Sequence, residues 1–280
     1  MKYGAYMFST DYAIRPDDLA RGLEERGFES LWLPEHTHIP ASRKSPWPGG
    51  GPLPREYWHT LDPFVALGAA AAVTTRLKLA TGICLVIERD PITLAKEVAS
   101  LDWVSRGRVI FGIGGGWNAE EMANHGTAFE SRWKLLRERI EAMKAIWTQD
   151  EAEYHGTFVH FDKLWAWPKP VQRPYPPIVM GGSGPHARQR AVDFDGHWMP
   201  IVGRDPLDEA IADLKVRAET AGRDPATVTV SLFGASSSEG KLAAWRDLGV
   251  ARAVFSLPSA GRDTVLPLLD RYAAVAARIG

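Results

Sequence analysis

The 280-residue chain sets 33 lysines and arginines against 34 aspartates and glutamates. That balance excludes a global field for capturing nucleic acid or an anionic membrane. Its length, with 45% hydrophobic residues, supports a sizeable core and excludes a disordered chain, while a lone cysteine, Cys84, excludes an internal disulfide.

The N-terminal run "YGAYMF" (3–8) reads as a first strand, and Leu19 and Leu23 mark a helix ending at Gly27. The start "MKYGAYMFST" has no apolar run of signal-peptide length. "SLWLP" (30–34) is a second strand, followed by a long connection at 36–58. Asp62-Pro63 sets an N-cap acid before proline at a first helical position, and Asp90-Pro91 and Asp205-Pro206 repeat the device. "PFVALGAAAAV" (63–73), the longest uncharged apolar stretch, is too short to cross a bilayer. "LKLATG" (77–82) and "RVIFGIG" (108–114) are the third and fourth strands. Trp133, Leu136, Ile140, Met143 and Trp147 then recur at helical spacing. A second long connection, 148–176, contains "AEYHGTFVHF", a hairpin around His155-Gly156. "PIVMGG" (177–182), a helix start at Gly184-Pro185, "GHWMPIV" (196–202), "VTVSLFG" (228–234) and "ARAVFSL" (251–257) follow, and Val265, Leu268, Leu269 and Tyr272 mark a last helix.

Several of these runs are apolar throughout, as in parallel strands covered on both faces. Eight strand–helix repeats predict an α/β fold, a (β/α)8 TIM barrel with insertions after strands 2 and 4. No linker divides the chain, so one domain over 1–280 is expected, soluble and cytoplasmic, acting on a small-molecule substrate, with neither nucleic acid nor membrane as partner. The apolar faces of the helices after strands two and three make a homodimer the expected assembly.

Glu35-His36-Thr37-His38 lies after strand two, on the rim where barrel active sites form. Its H-x-H spacing suits zinc, but the other strand ends (Gly82, Gly114, Gly181, Gly182, Pro200, Gly234 and Pro258) supply no ligands, so no metal is expected. Two glycine-rich strand ends, "FGIGGGWN" (111–118) and "MGGSGPHA" (180–187), bare their backbone N–H groups to a ligand or simply turn tightly. In the second, Ser183 and Gly184 enter a helix whose N-terminus suits a phosphate. Trp117 packs or faces the site, and Asn118 binds a ligand or caps the next helix. Trp47, Tyr57 and Trp58 wall the substrate mouth or clamp their own loop. Arg43 and Lys44 meet an anionic tail or stand in solvent, Cys84 is inert, and Glu88-Arg89 is a solvated turn.

Four blocks in order, "GFESLWLPEH", "LDPFVALGAAAAVTTRLKLATGICLV", "RDPITLAKEVASLDWVSRGRVIFGIGGGWNAEE" and "LWAWPKPVQRPYPPIVMGG", resemble the bacterial luciferase-like superfamily (luciferase-like monooxygenases), most closely its F420-dependent oxidoreductase branch. The resemblance covers the chain to about residue 200. It implies catalytic roles for Glu35 and His36, with His36 facing the redox ring and moving a proton. It also implies a cis peptide at Gly82-Ile83 behind that ring, Gly114, Gly115 and Asn118 along the cofactor, and Gly181, Gly182, Ser183 and Gly184 around its phosphate. The implied reaction is hydride transfer between coenzyme F420 and a small organic substrate. The alternative is an FMN-dependent monooxygenase using reduced flavin and oxygen. A barrel without turnover would lose the acid and histidine, which are both present. Some relatives acting on sugar phosphates carry a glutamate near Gly115, so here the acid is His36 alone or a bound water.

Overall fold

The structure, a computed structural model, describes residues 1–279. β1 (Lys2–Tyr6), β2 (Ser30–Leu33), β3 (Lys78–Thr81), β4 (Val109–Ile113), β7 (Ile178–Gly181), β8 (His197–Met199), β9 (Thr229–Ala235) and β10 (Arg252–Ser256) close into a parallel barrel. Its order is β1-β10-β9-β8-β7-β4-β3-β2. Between β4 and β7, β5 (Ala152–His155) and β6 (His160–Leu164) form the antiparallel hairpin, with His155 opposite His160. All eight predicted runs hold barrel strands. β2, β4 and β7 are buried at every residue, which is why their sequences do not alternate.

The helices are α1 (Pro16–Glu25), α2 (Pro63–Val73), α3 (Pro91–Val104), α4 (Ala119–Asn124), α5 (Arg132–Thr148), α6 (Pro185–Phe194), α7 (Leu207–Thr220), α8 (Glu239–Asp247) and α9 (Arg262–Ile279). Asp62 caps α2, accepting from the N–H groups of Phe64 and Val65 at 2.9 and 3.0 Å, and Asp90 caps α3 through Thr93 N at 2.8 Å. Asp205 does not act this way. α7 begins at Leu207 behind Pro206 with no side-chain cap, and the Asp205 carboxylate instead accepts from Arg188 at 2.9 Å and Gly184 N at 3.0 Å. A nearly buried guanidinium outbids a helix N–H for a carboxylate, because the charge-assisted bond is stronger.

Inside the barrel Trp32, Ala80, Ile110, Val179, Met199 and Val254 fill the axis. The Trp32 ring N–H donates to Ser30 Oγ at 2.8 Å. Gly112 is required here, since a Cβ on it would fall 2.0 Å from the Thr81 carbonyl oxygen. The larger core lies between strands and helices. The 36–58 connection has one short helical turn, Arg55–Trp58, and Ser45 fastens it to the start of α4: its N–H donates to Glu120 at 3.1 Å and its Oγ accepts from Ala119 N at 3.2 Å. None of the described helices is long and apolar enough to cross a membrane.

Candidate active site

The C-terminal ends of the strands open into a cavity of about 560 Å³. Tyr6 and Phe233, stacked at 3.9 Å, line it above the packed axis. Ile83 follows the Gly82–Ile83 peptide, which is cis, and its side chain reaches between two glycines. A Cβ on Gly114 would stand 2.7 Å from Ile83 Cδ1, and one on Gly181 would stand 2.6 Å from Ile83 Cγ2. Both glycines, which line the cavity, are therefore needed to seat Ile83 at the cavity floor. Gly115 also lines the cavity, but the space its side chain would take belongs to the Trp133 ring, 2.6 Å from a built Cβ. No acidic side chain could stand there without moving that ring.

His36 also lines the cavity and is nearly buried. Its Nδ1 lies 2.7 Å from Glu121 Oε2, in a side-chain pair 7% and 1% exposed. Tyr57 and Trp117 flank the imidazole, with ring centroids 5.1 and 5.8 Å away. Nε2 has no protein partner among the described residues, so it is the nitrogen left for chemistry. Sequence reasoning missed Glu121. It lies 85 positions from His36, and its signal, "NAEE", reads locally as a capped helix start. It is that too: Asn118 caps α4 by accepting from Glu121 N at 3.3 Å. Asn118 is buried there with its Nδ2 unpartnered among the described residues, and it is not part of the cavity wall; of its two expected roles the capping one is seen.

Glu35 borders the cavity, but its carboxylate is already engaged. Oε2 accepts from Leu85 N and Oε1 from Arg89 Nε, each at 2.6 Å. Arg89 also binds Glu97 at 3.1 Å and Asp62. Both Glu35 oxygens are thus engaged by Leu85 N and Arg89, an arrangement that braces the loop carrying His36. The expected solvated turn at Glu88-Arg89 is overturned. Burial lowers the Arg89 pKa, but the Glu35 charge, together with neighbouring Cys84 and the hydrogen bonds to Asp62 and Glu35, more than offsets it and raises it. Glu88 is buried as well, and desolvation, with repulsion from Glu121 and Glu35, pushes its carboxyl up to about 9. Cys84 is sealed in the core, where burial and the Glu35 charge raise its thiol pKa, as suits an inert residue.

On the side of β7, Gly182 (φ 111°) and Ser183 line the cavity. Gly184 does not, and its N–H donates to Asp205. Two cations unforeseen from sequence complete this wall, Arg190 from α6 and Arg204 after β8. Arg190 lies 3.6 Å over the Trp133 ring, and burial followed by repulsion from Arg132 and Arg137 lowers its pKa. The run "GPHARQRA" after the glycines held the only hint of it. Of the predicted mouth residues, Trp47 and Tyr57 line the cavity, while Trp58 is half exposed and off it. Arg43 and Lys44 are exposed and off the wall, with Arg43 over Trp117 at 5.9 Å.

His36 and His38 do not converge as metal ligands. His38 Nδ1 lies 3.0 Å from Thr37 Oγ1, and its Nε2 is 2.9 Å from Asn124 Nδ2. His155, His160 and Asp162 cluster on the exposed hairpin, apart from the cavity wall.

Residues 12–278 match the family described as luciferase-like monooxygenase. An uncharacterised protein of Mycobacterium tuberculosis is 43% identical over 98% of both chains. An FMNH2-dependent dimethylsulfone monooxygenase of Pseudomonas putida is 36% identical over 55% of this chain and 43% of its own. Among solved structures, an F420-dependent secondary alcohol dehydrogenase in complex with an F420-acetone adduct superposes with a TM-score of 0.79 at 17% identity, over 100% of each chain.

Proposed function

The chain belongs to the luciferase-like monooxygenase family, and we propose that it is an oxidoreductase that holds coenzyme F420 in this cavity and transfers hydride to or from a small organic substrate. The observation that carries this reading is the His36–Glu121 pair, a nearly buried imidazole on the cavity wall with its second nitrogen free of protein partners.

The cavity suits such a cofactor. Its volume lies within the roughly 300–1,000 Å³ of small-molecule sites. Ile83, made possible by Gly114 and Gly181, offers an apolar floor for a planar ring. Ser183, Gly182, Arg190 and Arg204 supply hydrogen bonds and positive charge for an anionic tail. When bound, the deazaflavin supplies the carbon that accepts or releases hydride. The chain's own residues supply the rest. Glu121 holds one imidazole nitrogen, fixing which nitrogen faces the cavity, and His36 Nε2 moves the proton that accompanies the hydride. Tyr57 and Trp117 crowd the imidazole and limit water around it.

The second reading, reduced FMN with oxygen, is supported by the likeness to the dimethylsulfone monooxygenase. Titrating the purified protein with both cofactors separates them. F420 should bind at least tenfold tighter, a difference of about 1.4 kcal/mol, and the reverse order would favour the monooxygenase. The exposed Val65, Trp103 and Val104 of α2 and α3 support a homodimer through these helices.

A further inference from the structure

The hairpin of β5 and β6 stands outside the barrel sheet, and the proposed chemistry makes no use of it. Its side chains alternate across the pleat. Tyr154 and Phe161, paired across the strands, pack partly buried against the core, and the Tyr154 hydroxyl donates to Glu141 of α5 at 2.8 Å. Glu153, His155, His160 and Asp162 are all exposed, and His155 and His160 are the next pair in the register.

The turn between the two histidines is fixed from beneath. Gly156 N–H donates to the Val159 carbonyl at 2.8 Å. The carboxylate of Glu138, on α5, accepts from the N–H groups of Thr157, Phe158 and Val159 at 3.1, 2.6 and 3.0 Å. A Cβ on Gly156 would collide with that carboxylate, so glycine is what lets it approach. The backbone carrying both imidazoles is therefore held in place before any ligand arrives, and little ordering cost remains for one that does.

On this frame His155 Nδ1 and His160 Nδ1 lie 3.0 Å apart. Bonds of about 2.1 Å from one ion to both nitrogens would meet at about a right angle, the angle between neighbouring ligands of a square-planar or octahedral ion rather than a tetrahedral one. Asp162 brings a third donor, since ligand atoms of His155, His160 and Asp162 all fall within 4.8 Å of one another. Glu153 Oε2 lies 3.6 Å from the other nitrogen of His155. A carboxylate there favours N–H at Nε2 and leaves the Nδ1 lone pair to the ion.

We propose that this face of the hairpin is a binding site for one divalent transition ion of the Ni2+ or Cu2+ kind, with His155 Nδ1, His160 Nδ1 and Asp162 as ligands and water completing the shell. The ion displaces the proton that otherwise bridges the two rings, and that proton leaves to solvent. It ties β5 to β6, a two-stranded sheet with no third strand to support it. The site lies apart from the cavity and does not depend on which cofactor the cavity holds.

The test uses the full chain, free of any polyhistidine tag and stripped with a chelator, titrated calorimetrically with Ni2+. Wild type should take up one ion. Loss of an orienting carboxylate alone costs about 10–100-fold in affinity, so His155→Gln and His160→Gln should each weaken binding at least about tenfold. His38→Gln, which alters the other close histidine pair, His38 and His125, should leave it unchanged. No uptake by wild type, affinity that survives both hairpin variants, or affinity lost in His38→Gln would overturn the proposal. Should the hairpin variants fail to fold, Cu2+ added to the wild-type protein decides. Its paramagnetic broadening of amide resonances should be strongest at 153–155 and 160–162, and broadening centred elsewhere would refute the site.

Discussion

Gly114→Ala isolates the contact that shapes the cavity floor. The φ of Gly114 lies outside the left-handed region, so alanine carries no backbone penalty there. The whole effect must come from the new methyl, placed 2.7 Å from Ile83 Cδ1 and 2.9 Å from its Cγ1. Neither distance is tolerable, and Ile83 is trapped from the other side by Gly181. Overpacking of this kind costs about 1–3 kcal/mol. In an Ile83→Ala background both crowding atoms are gone, and the nearest remaining Ile83 atom, Cβ, is an ordinary 3.7 Å away. There Gly114→Ala should cost less than about 0.5 kcal/mol, leaving a coupling of roughly 1–2 kcal/mol between the two positions. Urea unfolding of the four proteins at constant m-value measures it. If Gly114→Ala costs the same in both backgrounds, the glycine does not serve Ile83 and the account of the floor is wrong.

His36→Ala should lower turnover by roughly 10²–10⁴-fold with little change in cofactor affinity; full activity on the true substrate would remove the imidazole from the mechanism. Arg89→Met leaves the buried Glu35 carboxylate without its cation and should destabilise the fold by about 3–5 kcal/mol, read as a drop in urea midpoint. Glu88 carries a raised folded-state pKa, so between about pH 4.5 and about 9 the folded state holds a proton that the unfolded chain has released. Stability attributable to Glu88 therefore falls as pH rises across that window. Glu88→Gln should gain on wild type from pH 5 towards pH 9 in unfolding midpoints, and a constant difference would show that the carboxyl is already ionised.

The barrel was legible because its strands are buried on both faces and their apolar runs depend on no distant partner. Asp62 and Asp90 followed the local rule for helix starts, whereas Asp205, written in the same dipeptide, was captured by Arg188 from another helix. The glycine clusters showed where the rim opens, but the reason for two of them is the reach of Ile83, a matter of three-dimensional packing. The same limit hid the partner of His36. Glu121 sits in a helix start that reads as ordinary capping, and only the closing of the barrel brings it within 2.7 Å of the imidazole. Glu88 and Arg89 look like a charged turn because burial is a property of the fold, and Arg190 faces the cavity because α6 turns it there.

The central claim is that the floor at Ile83, the imidazole of His36 and the cationic wall of Arg190 and Arg204 surround one cofactor ring and its tail. A crystal structure of the protein soaked with F420 measures this directly. The account predicts the deazaflavin ring over Ile83 and facing His36, with its phosphate beside Gly182, Ser183 and Arg190. A ring bound elsewhere, or a tail running away from those arginines, would contradict it.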